Sequence, residues 1–147
     1  MKILQASLEH LNRVAKLFDD YRQFYKQASD INGATEFLRH KIEQQESIIF
    51  IAQNENTILG FVQLYPSWES VSMSKRWVLY DLYVAPAGRG QGIARQLMQR
   101  AKQLAHDTGA QTISLETATD NVIGQALYES EGYERDTEFY SYNLSLK

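Results

Sequence analysis

The sequence predicts an α/β fold in which a mixed sheet carries helices on both faces. The first observation is that the apolar pattern switches between a helical period and a strand period along the chain. The second is a turn at 54–56 between two β-branched runs, which predicts an antiparallel hairpin. The third is that strands precede helices in the second half, an order typical of layered α/β domains.

The first half of the chain predicts a strand, two helices and the hairpin. The predicted elements are a strand at 2–5, a helix at about 8–27, a loop at 28–35, a helix at 36–45 and strands at 48–52 and 57–65. Ser7 is a candidate N-cap, and apolar residues recur at helical spacing after it. Pro66 is expected to end the hairpin, so 67–74 is predicted to be a loop.

The second half predicts strands and helices in alternation. The predicted elements are a strand at 76–84, a helix at 91–107, a strand at 111–116, a helix at 121–131 and a final strand at 139–146. Gly109 and Gly132 follow the two helices, at the position where helices commonly end. Thr119 or Asp120 is the candidate cap of the second of these helices. Strict alternation of apolar and polar residues predicts the final strand.

Length and composition predict one domain, 1–147, and exclude several classes of protein. The net charge of −3 gives no general basic surface for nucleic acid. Without cysteine, disulfides and thiol catalysis are excluded, and the scattered histidines predict no metal site. The N-terminus does not have the pattern of a signal peptide, and no apolar run is long enough to span a bilayer. We therefore expect a cytoplasmic protein with no membrane partner.

The turn at 86–92, between the strand at 76–84 and the next helix, predicts a phosphate site. Its glycines let a ligand approach the backbone, and amides at a helix N-terminus attract anions. Arg89 adds a fixed positive charge beside them. A Walker loop would need Gly-Lys-Ser/Thr, which is absent, and the glycine spacing differs from that of a Rossmann fingerprint. The alternative is an ordinary turn between a strand and a helix.

Two segments together resemble one family. The run Arg89-Gly90-Gln91-Gly92-Ile93-Ala94 resembles the (Arg/Gln)-x-x-Gly-x-(Gly/Ala) signature of GNAT N-acetyltransferases. Segment 121–133 is similar to the family's Asn-x-x-Ala-x-x-Leu-Tyr-x-x-x-Gly-(Phe/Tyr) segment, with Gly124 at the usual alanine position. Segments 60–66 and 138–142 also resemble a bacterial branch often labelled histone-acetyltransferase-like. The resemblance implies the acyl-CoA N-acyltransferase fold, with a mostly antiparallel central sheet of about six to seven strands.

The resemblance also implies acetyl-CoA as co-substrate and assigns residues to it. The backbone of the strand at 82–84 would pair with the pantetheine arm, and the turn after it would hold the pyrophosphate. Asn121 would hydrogen-bond the pantetheine arm, although a helix cap alone would also explain an asparagine there. The implied cofactor-binding residues are Leu82, Tyr83, Val84, Arg89, Gly90, Gln91, Gly92, Ile93, Ala94, Asn121 and Tyr128.

Three residues are implied as catalytic. Tyr128, in the Leu-Tyr pair of the later segment, would protonate the departing thiolate. Glu116 is the first candidate for the general base and Asp81 the second; each is alternatively an ordinary polar strand residue. Tyr80 occupies the position where polyamine acetyltransferases carry a glutamate, which argues against their arrangement of the base.

Aromatic and acidic residues predict the pocket for the acceptor, because aromatic faces and carboxylates suit a cationic amine. The candidates are Tyr21, Tyr25, Trp68, Glu69, Trp77 and Tyr80, of which we single out Tyr25, Trp68 and Tyr80. Packing in an aromatic core is the alternative for any one of them.

The sequence thus predicts an acetyl-CoA-dependent N-acetyltransferase in which a small-molecule, peptide or protein amine attacks the thioester directly. The alternative is a non-catalytic regulatory module that binds CoA or acyl-CoA. The alternating residues at 139–146 favour a homodimer.

Overall fold

A computed structural model describes every residue, 1–147. The residues form two compact units, Met1–Glu116 and Thr117–Lys147. We describe each unit by itself, and the single domain expected from the sequence stays a prediction. No helix combines the length and the apolar character needed to cross a membrane.

The first unit contains the sheet and three α-helices. Its elements are β1 Lys2–Gln5, α1 Leu11–Phe24, α2 Ile31–Glu43, β2 Ile48–Asn54, β3 Thr57–Glu69, β4 Ser74–Val84, α3 Ile93–Asp107 and β5 Thr112–Ser114. Short 3-10 turns at Leu8–His10 and Pro86–Gly88 precede α1 and α3. The second unit contains one helix, α4 Val122–Ser130.

The sheet confirms the predicted fold class and corrects the number of strands. Its strands lie in the order β1-β2-β3-β4-β5, which makes five where six to seven were expected. Neighbouring strands are antiparallel except for β4 and β5, which are parallel. A parallel pair needs a crossover connection, and α3 supplies it.

Helices cover both faces of the sheet, as predicted. Ile49, Ile51 and Phe61 belong to the same core cluster as the buried residues of α1 and α2. Because successive strand residues point to opposite faces, Phe50 points away from that cluster. The Arg100 guanidinium of α3 lies 4.3 Å from the centre of its ring. The face of α1 and α2 is the one that carries the candidate site.

A buried carboxylate holds the connection between α1 and α2. Asp19 accepts hydrogen bonds from the Asp30 amide at 3.0 Å, the Ser29 hydroxyl at 2.7 Å and the Arg22 guanidinium at 2.9 Å. These donors, the Asp30 amide first, hold the pKa of Asp19 below its usual value. The end of α1, which bears Tyr21 and Tyr25, is thereby fixed to the start of α2.

Pro66 does not end the hairpin, contrary to the prediction. β3 continues to Glu69 and β4 begins at Ser74, so the turn is confined to 70–73. The pairing with β2 reaches only Leu64, so at Pro66 β3 is an edge with one neighbour. An edge position tolerates a residue that lacks an amide hydrogen.

The second helix begins five residues earlier than its predicted start at 36, because Asp30 caps it. The Asp30 carboxylate accepts the Gly33 amide at 2.9 Å, which satisfies a first-turn donor. The polar and glycine residues of the loop predicted at 28–35 therefore lie partly in the first turn of α2, which begins at Ile31.

The final strand predicted at 139–146 is not formed. The segment has no regular secondary structure, and Tyr140 and Tyr142 are about nine-tenths exposed (90% and 92%). A strand needs a neighbour for its backbone groups, and an alternating pattern does not by itself supply one. The cap of α4 is also corrected, because it is Asn121 rather than Thr119 or Asp120.

Candidate active site

One edge of β4 is open for more than half of the strand. β5 pairs with β4 only at Arg76, Trp77 and Val78. From Leu79 to Val84, β4 is paired with β3 alone. The backbone of Leu82, Tyr83 and Val84 thus lies on an unpaired sheet edge, which an extended ligand can join as an added strand.

A β-bulge interrupts β4 at the start of this open stretch. Gln63 of β3 lies opposite Asp81 and Leu64 lies opposite Leu79, so Tyr80 is the extra residue. The Tyr80 side chain is 68% exposed, and its ring centre lies 5.5 Å from that of Tyr65. Bulges re-aim side chains and are common beside active sites.

Asp81 is a buried carboxylate within a polar chain. Its exposed fraction is 6%, and its Oδ2 accepts a hydrogen bond from Gln63 Nε2 at 2.9 Å. Gln63 is fully buried, and its Oε1 accepts the Ser47 hydroxyl at 2.8 Å. Since a carboxylate only accepts, this chain fixes the amide nitrogen of Gln63 toward Asp81.

Burial raises the pKa of Asp81 above the ordinary value of an aspartate. Hydrogen bonding from Gln63, and less strongly from the Tyr21 hydroxyl, lowers it in part. Both of these partners are neutral, so no cation compensates the carboxylate. A carboxylate with a raised pKa and no ion pair is suited to accept a proton.

Tyrosine rings from α1, β3 and β4 surround this carboxylate. Tyr21 lies 5.1 Å from Tyr25 and 5.7 Å from Tyr83 between ring centres. Burial and then the Asp81 charge raise the pKa of both Tyr21 and Tyr65, so both remain neutral phenols. Two predicted pocket residues pack against these rings, since Tyr25 contacts Tyr21 and Tyr80 contacts Tyr65.

The glycine turn leads into the N-terminus of α3. Gly90 and Gly92 have φ of +77° and +74°, in the region that favours glycine. No protein atom lies within 4 Å of where a Cβ would be at either position. The first intrahelical bond of α3 runs from the Gln96 amide to the Gly92 carbonyl, so earlier amides have no partner within the helix. No acidic residue lies in the first turn.

Arg89 is anchored at the junction of β4 and this turn. Its Nε donates to the Val84 carbonyl at 3.2 Å, and its guanidinium lies 5.9 Å from the Tyr83 ring centre. Arg89 is exposed. A positive charge therefore lies between the open edge of β4 and the amides that begin at Gln91, and the pyrophosphate site expected there stays a prediction.

Trp68 and Glu116 are further predicted site residues of the first unit. Trp68 lies five positions along β3 from Gln63, about 17 Å at roughly 3.4 Å per residue, and is 69% exposed. Glu116 follows β5 outside regular secondary structure and is exposed. The structure does not bring Trp68 to Asp81. Trp77 belongs to the core, where its indole donates to the Thr108 hydroxyl at 2.9 Å.

The second unit holds Asn121 and Tyr128 on α4. Asn121 caps the helix by accepting the Gly124 amide at 3.1 Å, and its Nδ2 donates to the Thr117 hydroxyl at 2.9 Å. Tyr128 is half-buried, with its ring centre 6.5 Å from that of Tyr133. Burial raises the pKa of Tyr133 to about 12.

Sequence reasoning missed Gln63, Ser47 and Tyr65. The signal for Gln63 is present, because it is a polar residue inside an apolar strand run, and a buried amide there requires partners. Nothing in the sequence indicates that Ser47 is the partner, since the pair forms only through the register of β2 and β3.

Comparison with known proteins agrees with this geometry. The profile of the acetyltransferase (GNAT) family matches residues 13–133. The uncharacterized N-acetyltransferase YhfO of Bacillus subtilis (strain 168) is 42% identical over 146 residues, covering 99% of this chain and 98% of its own. A probable acetyltransferase of Haemophilus influenzae is 31% identical, with 99% of each chain covered. The crystal structure of a probable acetyltransferase has a TM-score of 0.95 and 42% identity, covering 100% of this chain and 99% of its own.

The fold and the site define an acyl-group transferase of the α/β class. This chain belongs to the GNAT family and is an N-acetyltransferase. No group of three or more His, Asp or Glu side chains is arranged to hold a metal ion.

Proposed function

We propose that the chain transfers the acetyl group of acetyl-CoA to a primary amine by direct attack within a ternary complex. The observation that carries this proposal is the buried Asp81 carboxylate beside the open edge of β4. A proton acceptor and a surface for a thioester lie on the same short stretch of strand. This proximity supports a mechanism without a covalent enzyme intermediate.

The thioester is the source of the reactivity, and the chain supplies binding and orientation. Backbone groups of Leu82–Val84 would pair with the pantetheine amides. Arg89 and the amides from Gly90 to Ala94 would hold the pyrophosphate. The open space above Gly90 and Gly92 and the lack of acidic residues in the first turn of α3 support this fit.

Asp81 would act as the general base. An ammonium group cannot attack, so a proton must leave the acceptor nitrogen before or during formation of the carbon–nitrogen bond. The raised pKa of Asp81 matches this task better than that of an ordinary aspartate. Of the two candidates from the sequence, the burial of Asp81 and its hydrogen bond from Gln63 favour it over Glu116, which is exposed.

Tyr128 would act as the general acid. As the carbon–sulfur bond breaks, the thiolate takes a proton from the phenol, and the proton held by Asp81 returns to the phenol through solvent. Tyr128→Phe should lower kcat about 10²-fold with little change in the affinity for CoA, because only the proton is removed. Steady-state kinetics together with calorimetry of CoA binding would check this. Unchanged turnover would remove Tyr128 from the role.

A panel of primary amines with acetyl-CoA tests the proposed reaction, with release of the CoA thiol as readout. We expect turnover with some amines and acetylated product by mass spectrometry. Asp81→Asn should lower kcat at least about 10²-fold and keep CoA binding. If acetyl-CoA binds but no amine in a broad panel is acetylated, the regulatory module that binds CoA without catalysis becomes the better description.

A further inference from the structure

The candidate acceptor pocket is built around one buried carboxylate, Asp81, whose pKa reflects no neighbouring cation. Asp81 is contacted by the neutral groups of Gln63 and Tyr21. Two cations of the covering helices are paired with carboxylates, Arg22 with Asp19 at 2.9 Å and Lys41 with Glu46 at 3.0 Å, and Arg89 is exposed at the junction with the glycine turn. A carboxylate placed beside Asp81 would meet a like charge that no neighbouring cation offsets.

The walls of the pocket favour a positively charged or neutral group. Tyr21 and Tyr25 form an edge-to-face pair with ring centres 5.1 Å apart, and Tyr65 and Tyr80 form another at 5.5 Å. Faces of aromatic rings attract ammonium groups. Neither pair of rings carries a positive charge that could bind an anion. The rings and Asp81 therefore both favour a cationic or neutral acceptor over an anionic one.

We propose that the acceptor is a primary amine whose nitrogen-bearing carbon carries no carboxylate. This inference rests on the proposed function, since it assumes that the acceptor nitrogen reaches Asp81. An α-amino acid would bring its own carboxylate within a few ångströms of Asp81, where two like charges repel in partly desolvated surroundings. Amines on a methylene chain, including the ε-amine of lysine, avoid that repulsion.

Matched pairs of amines that differ by this carboxylate test the inference. The pairs are phenethylamine with phenylalanine, tyramine with tyrosine, and cadaverine with lysine. We expect kcat/KM to be at least about 10²-fold lower for α-acetylation of the amino acid in each pair, which corresponds to about two pKa units of differential interaction. For lysine, mass spectrometry should find the acetyl group on the ε-nitrogen.

A neutral control separates charge from branching at the α-carbon. Phenylalaninamide has the branch without the charge, and rates are compared per concentration of unprotonated amine. We expect it to be acetylated at a rate close to that of phenethylamine. The inference is overturned if phenylalaninamide is as poor as phenylalanine, or if any amino acid is acetylated at its α-nitrogen within about tenfold of its partner.

Binding to an inactive variant gives a readout independent of turnover. With CoA bound, Asp81→Asn should bind phenylalanine more tightly relative to phenethylamine than the wild-type chain does, because the repelling charge is gone. An unchanged affinity ratio would contradict the role of Asp81 in selection. Absence of acetylation for every amine in all three pairs would instead count against the proposed function.

Discussion

At the scale of single residues, the ionisation of Asp81 depends on one buried amide. Gln63 is fully buried, and its two polar atoms are used by Ser47 and Asp81. Burial disfavours the charged carboxylate, while the Gln63 hydrogen bond favours it. We therefore regard Gln63 as a positioning residue that keeps Asp81 ionised over more of the pH range.

Gln63→Leu should move the acidic limb of the pH profile of kcat/KM upward by about one unit. Removing the hydrogen bond to the charged form raises the pKa of Asp81, so more alkaline conditions are needed to ionise it. The profile is measured with one amine throughout, so that the ionisation of the amine cancels in the comparison.

Ser47→Ala is the matched control, because it removes the far end of the chain and leaves the contact between Gln63 and Asp81. The acidic limb of the pH profile should move less in Ser47→Ala than in Gln63→Leu. A Gln63→Leu variant that loses rate equally at every pH would show that the amide has only a structural role.

At the scale of elements, the start of α3 and the end of β4 act together through Arg89. Its Nε is tied to the Val84 carbonyl, so the rest of the guanidinium projects from a fixed point. Gly90 and Gly92 adopt positive φ, which orients the amides that follow. No protein atom lies within 4 Å of where a Cβ would be at either glycine. The proposed pyrophosphate site would thus draw on two elements.

Arg89→Ala should weaken CoA binding by about tenfold and make it less dependent on salt, because a charge-assisted contact to phosphate is lost. Calorimetry at several salt concentrations measures both effects. Lys102→Ala is the control, since Lys102 is an exposed cation of the same helix. Binding of acetyl-pantetheine, which has no pyrophosphate, should be unchanged by Arg89→Ala. If CoA affinity does not change, the pyrophosphate does not lie at Arg89.

Sequence periodicity predicted most elements, and its failures have physical causes. Pro66 was expected to end a strand, but a sheet edge does not need its missing amide hydrogen. Helix α2 begins five residues before the predicted start, because the Asp30 carboxylate reaches the Gly33 amide and caps it. The segment 139–146 has the alternation of a strand, but alternation does not specify a neighbour.

The candidate site was predictable where its chemistry is local and not where it depends on register. The turn from Arg89 to Ala94 can be read from adjacent residues. The contact of Gln63 with Asp81 requires the pairing of β3 with β4, and the bulge at Tyr80 shifts that pairing by one residue. Asn121 shows a third case, since its side-chain oxygen caps α4, while its contact with the pantetheine arm stays a prediction.

At the scale of the whole molecule, the candidate base opposes stability. The pKa of Asp81 is raised in the folded state, so its contribution to stability is present at low pH and is lost as pH rises through that pKa. Function therefore requires a charge that the fold disfavours. Such a conflict is common at catalytic sites.

Asp81→Asn should raise Tm relative to the wild-type chain, and the difference should grow as pH rises above 3.8, the ordinary pKa of an aspartate, and level off above the raised pKa that Asp81 has in the folded chain. The neutral amide removes the buried charge, whereas the wild-type chain must hold it at the higher pH. Thermal unfolding followed by circular dichroism at several pH values measures the difference. A difference that shrinks with rising pH would mean that Asp81 is not disfavoured as an anion.

The homodimer expected from 139–146 stays a prediction. Its large apolar side chains are 79–92% exposed, and exposed apolar groups in one segment favour association. Sedimentation of the full chain and of a variant ending at Glu138 would determine whether the segment joins two copies. If the full chain is a monomer at all concentrations, the homodimer is excluded.

The missing neighbour of β4 beyond Val78 has a consequence for hydrogen–deuterium exchange. Amides directed away from β3 in this stretch have no sheet partner and should take up deuterium quickly in the free protein. A bound pantetheine arm would accept hydrogen bonds from these amides and slow the uptake of deuterium by peptides spanning 79–84. Equal uptake with and without CoA would mean that the thioester does not run along this strand.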